Sequence, residues 1–178
     1  MVELKRRSVP RRSKKCAVPL SNLRTSQVVR TVVDHPRRLE ELLNLLQDKS
    51  RVVRGRAGAT LARLSESHPG RLVRTLDRIK NALADESAYV RWHLVYTLGQ
   101  IGSSVPQTLP SLLKEMASAL GDDNGIVRGV AIKGLKRIIA RKAEPVAEYF
   151  ESSKQEPPAA IVHALKKSGL ILRVTPQK

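Results

Sequence analysis

Aromatic side chains are nearly missing from this chain, with one Trp, three Tyr and one Phe among 178 residues. Leu, Val, Ile and Ala must therefore fill the core, which suits packed helices better than stacked sheets. Cysteine is scarcer still. The single Cys16 excludes an internal disulfide and points to a reducing compartment, the cytoplasm. No apolar run reaches the roughly 18 residues that a membrane span needs, so no membrane partner is expected. The basic start gives way to Cys16-Ala17-Val18-Pro19-Leu20 and then Ser21-Asn22, not to the apolar stretch of a secretory signal. Pro10 and Pro19 would also interrupt the amphipathic helix of an organellar presequence.

Catalytic signatures are absent too. The sequence holds no Cys-x-x-Cys, His-Glu-x-x-His, Gly-x4-Gly-Lys-Ser/Thr or Gly-x-Ser-x-Gly pattern. His35 and His68 precede prolines in loops, and His163 lies near the C-terminus. No catalytic residue, metal ligand or cofactor is therefore assigned, and the chain reads as a non-enzymatic binding protein.

Negative charge is the last scarcity: 16 Asp and Glu face 33 Lys and Arg, a formal net charge of +17. Lys5, Arg6, Arg7, Arg11, Arg12, Lys14 and Lys15 stand against Glu3 alone in the first 15 residues. The remainder keeps 26 basic against 15 acidic residues, so the folded part is basic in its own right. Such a balance favours polyanion partners. Residues 1–19 read as a basic flexible arm. Residues 20–178 read as one domain, within the usual span of roughly 100–200 residues.

What is present is a repeat. Asp48, Val53 and Arg54 recur as Asp85, Val90 and Arg91, then as Asp122, Val127 and Arg128, each step being 37 residues. Leu61, Leu98 and Leu135 keep the register, as do Leu64, Ile101 and Ile138, and upstream Leu42, Ile79 and Met116. Leu39, Leu42, Leu43 and Leu46 follow the i, i+3, i+4, i+7 pattern of one helix face. The Asp column between two such runs suits an N-cap or a tight turn, and Pro69 and Pro106 open the next hairpins. Each unit is then helix A, a turn at Asp, helix B and a loop. Clean units fall at about 36–67, 68–104 and 105–141, with capping helices in 20–35 and 142–169.

These units resemble the HEAT-repeat family, in which an apolar A helix precedes Asp-x4-Val-Arg and an Ala/Leu-rich B helix. The segments Val53-Arg54-Gly55-Arg56-Ala57-Gly58-Ala59 and Leu94 to Gly99 carry the likeness, which covers about residues 36–141. The His35-Pro36 and His68-Pro69 loops look like those of archaeal members. The resemblance implies an all-α solenoid of helical hairpins, whose B helices line a concave surface. It also implies that Arg54, Arg91 and Arg128 pair with the Asp column of adjacent units, a structural ladder and not a binding site.

At 100° per residue, Val53, Ala57, Leu61 and Leu64 project inward from helix B, while columns 56, 59 and 63 form an outer stripe. Across the three units that stripe holds Arg56, His93 and Val130, then Ala59, Tyr96 and Lys133, then Arg63, Gln100 and Arg137. Tyr89, Trp92 and Tyr96 gather three of the five aromatics within eight positions. They would stack on bases if exposed, or fill gaps between helices if not, and the sequence leaves both open. Lys133, Arg137 and Arg141 run along one helix edge with no acid from Lys133 to Lys142.

The expected nucleic-acid contacts are therefore the seven basic residues of the arm with Arg56, Arg63, Trp92, His93, Tyr96, Lys133, Arg137 and Arg141. RNA is favoured over DNA, with a ribosome-associated scaffold as the expected role. An acidic protein partner or amphipathic helix gripped by the aromatic cluster is the alternative. A HEAT-like DNA repair glycosylase is a minor one, for which only Glu66 offers an acid near the stripe.

Overall fold

Each repeated aspartate folds the chain back on itself. The structure is a computed structural model that describes residues 18–172. Oδ1 of Asp48, Asp85 and Asp122 accepts the backbone N–H of Ser50, Ser87 and Asn124, two residues on, at 2.8 Å in each case. The column thus closes a tight turn. The N-cap position falls to Ser50, Ser87 and Asn124, where the Asn124 side chain accepts from the N–H groups of Ile126 and Val127.

A B helix follows each turn: α3 (Arg51–Ser67), α6 (Ala88–Ser104) and α8 (Gly125–Ile139). The A segments before them are less regular. The first is α2 (Leu39–Asn44), flanked by 3-10 turns at Pro36–Arg38 and Leu45–Gln47. The second is split into α4 (Pro69–Leu72) and α5 (Leu76–Asn81) by a 3-10 turn, Val73–Thr75. The third is α7 (Leu109–Ser118), opened by a 3-10 turn at Pro106–Thr108. Pro36, Pro69 and Pro106 all sit in a first turn, where the missing N–H costs nothing and φ is preset.

α1 (Thr25–Asp34) packs on α3 at one end, and α10 (Ala159–Lys167) packs on α8 at the other. α9 (Glu144–Ser153) lies against α7 and α8. The chain is an all-α solenoid in which α3, α6 and α8 stack side by side as one layer. Among the described residues there is no strand. Leu61, Leu98 and Leu135 are fully buried, as are Leu64, Ile101 and Ile138, and Leu42, Ile79 and Met116 join them from the A layer. Each such side chain contributes roughly 1.5–3 kcal/mol on burial, and together they form one continuous core.

Arginines stitch one unit to the next. Arg54 Nε donates to Asp85 Oδ2 at 2.6 Å, and its Nη1 donates to the carbonyl oxygens of Asp48 and Lys49. Arg91 repeats this one unit on, with Nε and Nη2 each 2.8 Å from the two oxygens of Asp122 and Nη1 on the carbonyls of Asp85 and Glu86. Glu86 and Asp123 add a second carboxylate to each guanidinium. The fork geometry of Arg matches this set of acceptors, which a Lys could not replace. The ladder then ends. Arg128 keeps the carbonyls of Asp122 and Asp123, but the position 31 residues on is Ala159, and among the described residues no carboxylate answers it.

This pairing has a pH signature. The Arg91 guanidinium, helped by the Asn124 N–H, holds the Asp122 carboxyl down at about 2, against 3.8 for the free group. The folded carboxylate binds its proton less tightly than the unfolded one. Its contribution is therefore complete above about pH 4 and is lost as pH falls from 4 towards 2. Solvent reaches part of the pair, which limits the effect to on the order of 1 kcal/mol. Urea unfolding between pH 2 and 5 should show this slope, and Arg91→Gln should flatten it. An unchanged slope in the variant would assign the acid sensitivity elsewhere.

Candidate nucleic-acid interface

Charge is unevenly shared between the layers. The three B helices contain nine Lys and Arg but a single acid, Glu66. Among the described residues the other acids lie at the end of α1, on A segments, on turns and toward the C-terminus, and several are spent on neighbours: Glu40 on Arg78, Glu41 on Arg38, Asp77 on Lys80. On α8 and its closing turn, Lys133, Arg137 and Arg141 are all exposed at i, i+4, i+8. Among the described residues no carboxylate is within ion-pair distance of any of them, nor of exposed Arg63 on α3.

A row of contacts crosses the layer here. The Tyr96 hydroxyl donates to Glu66 Oε1 at 2.8 Å and accepts from Gln100 Nε2 at 2.8 Å. Arg137 from α8 lies over the Tyr96 ring, 5.6 Å from its centroid, a cation–π contact worth about 0.5–1 kcal/mol at such a site. Burial and the bond to Glu66 push the Tyr96 phenol above its ordinary value. Tyr96 is half-buried and joins three helices, while Arg137 is exposed. Sequence reading put Glu66 near the stripe but missed its bond to Tyr96, because the two residues lie on different helices, 30 positions apart.

Two expected contacts are corrected. His93 is only 6% exposed, buried between α3 and α6, where the bare Cα of Gly58 makes room for it. Its ring stacks on Trp92 at 3.6 Å between centroids, Nδ1 is 2.7 Å from the Tyr89 carbonyl, and burial lowers its pKa. The outward angle of that column on an isolated helix becomes, for a helix flanked on both sides, an interface. Arg56 is also occupied. Its guanidinium donates to the carbonyls of Ser21 and Leu23, binding the N-terminal turn to α3. Those acceptors stand 33 and 35 residues upstream, so no local pattern announces them.

Trp92 is half-buried and meets Tyr89 edge-on, 5.8 Å between centroids at 87°, while Tyr89 itself is 54% exposed. The aromatic cluster is thus part packing and part surface. Lys5, Arg6, Arg7, Arg11, Arg12, Lys14 and Lys15 lie outside the described residues. Arg63 on α3 and Lys133, Arg137 and Arg141 on α8 and its closing turn remain exposed as the open cationic band, and the Tyr96 ring lies beneath Arg137.

Among the described residues, no group of three His, Cys, Asp or Glu is placed to hold a metal ion, and no helix is long and apolar enough to cross a membrane. The chain matches none of the curated proteins. The family profile of HEAT repeats matches residues 39–118, the first two hairpins and the A helix of the third. Stacked repeats of this type present an extended surface and suggest an interaction scaffold. With the 37-residue period, the Arg–Asp ladder and the two-layer stack, that match identifies residues 39–118 as HEAT repeats.

Proposed function

We propose that this solenoid is a non-enzymatic RNA-binding scaffold, working in the cytoplasm in association with the ribosome. The observation that carries it is the uncompensated band of Arg63, Lys133, Arg137 and Arg141 on a layer that holds one acid. Phosphates would meet the four side chains, and the partly exposed edges of Trp92 and Tyr96 would meet sugar or base. The seven basic residues of the arm would add a second anchor. Recognition would follow the shape and charge of the backbone, since the band offers no paired Asn or Gln to read a base edge.

If band and arm together neutralise roughly 6–10 phosphates, affinity should fall by about 10³–10⁵ between 50 and 200 mM salt. Fluorescence anisotropy with labelled ribosomal RNA fragments, and with duplex DNA beside them, reads this directly. Binding that ignores salt, or no binding at 50 mM, rejects the proposal, and equal affinity for duplex DNA rejects its preference for RNA.

A further inference from the structure

Away from the ends of the described segment, only three large hydrophobic side chains among the described residues are exposed: Val52 at 67%, Tyr89 at 54% and Ile126 at 65%. They occupy one register column, 37 residues apart, each the second residue of a B helix. Single exposed hydrophobics are ordinary; three in register on adjacent helices form a continuous ridge. Helix formation does not ask for them. A first turn favours Asp or Glu, worth about 0.3–1 kcal/mol against the helix dipole, yet none of these three helices has an acid in its first turn. Glycine leaves Ile126 standing clear, since Gly125 and Gly129 beside it have no neighbouring side chain other than Arg128 within 4 Å of a Cβ, and the Tyr89 ring reaches across Gly55 toward α3.

We infer that this ridge docks an amphipathic helix from an acidic protein partner, laid across the ends of the B helices. The spacing selects a helix. Packed helices lie about 8–10 Å apart, so ridge members recur at about that interval. A helix presents one face every seven residues, about 10.5 Å, whereas same-face residues of a strand recur at about 6.8 or 13.6 Å. Charge selects the acids. Three helix N-termini without an acid in their first turns open onto the ridge, and Lys49 and Arg51 flank it at the first unit. The nearest carboxylates, Glu86 and Asp123, are already held by Arg54 and Arg91.

The ridge and the cationic band share the stripe but are separate sites. Val52 and Arg63 are eleven residues, about 16 Å, apart along α3. The inference therefore does not rest on RNA binding. The test is selection on the full chain from a displayed library of helical peptides about 21 residues long, three heptads. Selected peptides should carry large apolar residues at i, i+7 and i+14 beside Asp or Glu. The double variant Val52→Ser, Ile126→Ser should bind them roughly tenfold more weakly or worse, because both anchors lose their apolar contact. Its thermal melt should be unchanged, both residues being exposed. Its RNA affinity should also stay as in the parent chain, and so should its behaviour in sedimentation and on anionic vesicles. Selection that yields no such period, or peptides that bind the variant equally, would overturn the inference. A matching loss of RNA affinity would make the ridge part of the RNA surface instead. A dimer or vesicle binding abolished by the variant would assign it to self-association or lipid.

Discussion

Replacing Lys133, Arg137 and Arg141 together by Gln should weaken RNA binding about a hundredfold at 0.15 M salt. Each phosphate contact contributes a slope of about −0.9 to the dependence of log affinity on log salt, so three lost contacts remove about 2.7. Extrapolated from 1 M, where the electrostatic gain vanishes, that slope amounts to roughly two powers of ten at 0.15 M. The variant and parent curves should therefore converge as salt rises. The substitutions lie on an exposed edge with no ion pair to break among the described residues. Only the cation–π contact of Arg137 with Tyr96 is lost from the fold, a cost below about 1 kcal/mol. A parallel shift that persists at high salt, or no shift at all, would remove the band from the binding surface. The same three changes should leave peptides selected on the ridge almost unaffected, which separates the two surfaces in one variant.

Gly99→Ala should destabilise the solenoid by about 2 kcal/mol, lowering the melting temperature by roughly 4–8 °C. A Cβ at Gly99 would lie 2.9 Å from the Cα of Gly134, so the two B helices touch backbone to backbone there. Backbone cannot rotate aside, and α6 and α8 must separate along a seam that includes Leu98 and Leu135. The higher helix propensity of Ala returns about 1 kcal/mol, which the estimate includes. At Gly134 the added Cβ would meet the mobile end of Met116 at 2.6 Å, so Gly134→Ala should cost less. At Gly129 it would meet open space, and Gly129→Ala should stabilise by about 0.5–1 kcal/mol. Because solenoid units contact only their neighbours, the damage should be local. Hydrogen exchange in Gly99→Ala should show α8 to α10 losing protection before α1 to α3. Equal stability of Gly99→Ala and the parent chain would contradict the close approach.

The period, and with it the HEAT-type repeat and the all-α solenoid, was legible because each unit solves the same burial problem with the same residues. Leu61, Leu98 and Leu135 repeat since each caps the same core, and Asp48, Asp85 and Asp122 repeat since each closes the same turn. Helical angle also separated the ladder arginines from the outer stripe, since an angle depends only on the residue's own helix. Composition alone marked the basic excess and the acid-free run from Lys133 to Lys142.

The tertiary structure decided what the neighbours do to each position. His93 and Arg137 lie on the same stripe, yet His93 turns in against Gly58 of α3 and is buried, while Arg137 lies over the Tyr96 ring at the rim of the α6–α8 seam and stays exposed. Arg56 and Arg63 share α3 and its outer face, but the carbonyls of Ser21 and Leu23 reach only Arg56. The Gly99–Gly134 contact falls outside the 37-residue register, so no alignment of units predicts it. Val52, Tyr89 and Ile126 share one apolar column. Helical angle sets it on the outer stripe, and the packed layer shows that all three stay exposed there while His93 on the same stripe does not, because exposure belongs to what surrounds a side chain and not to the side chain itself.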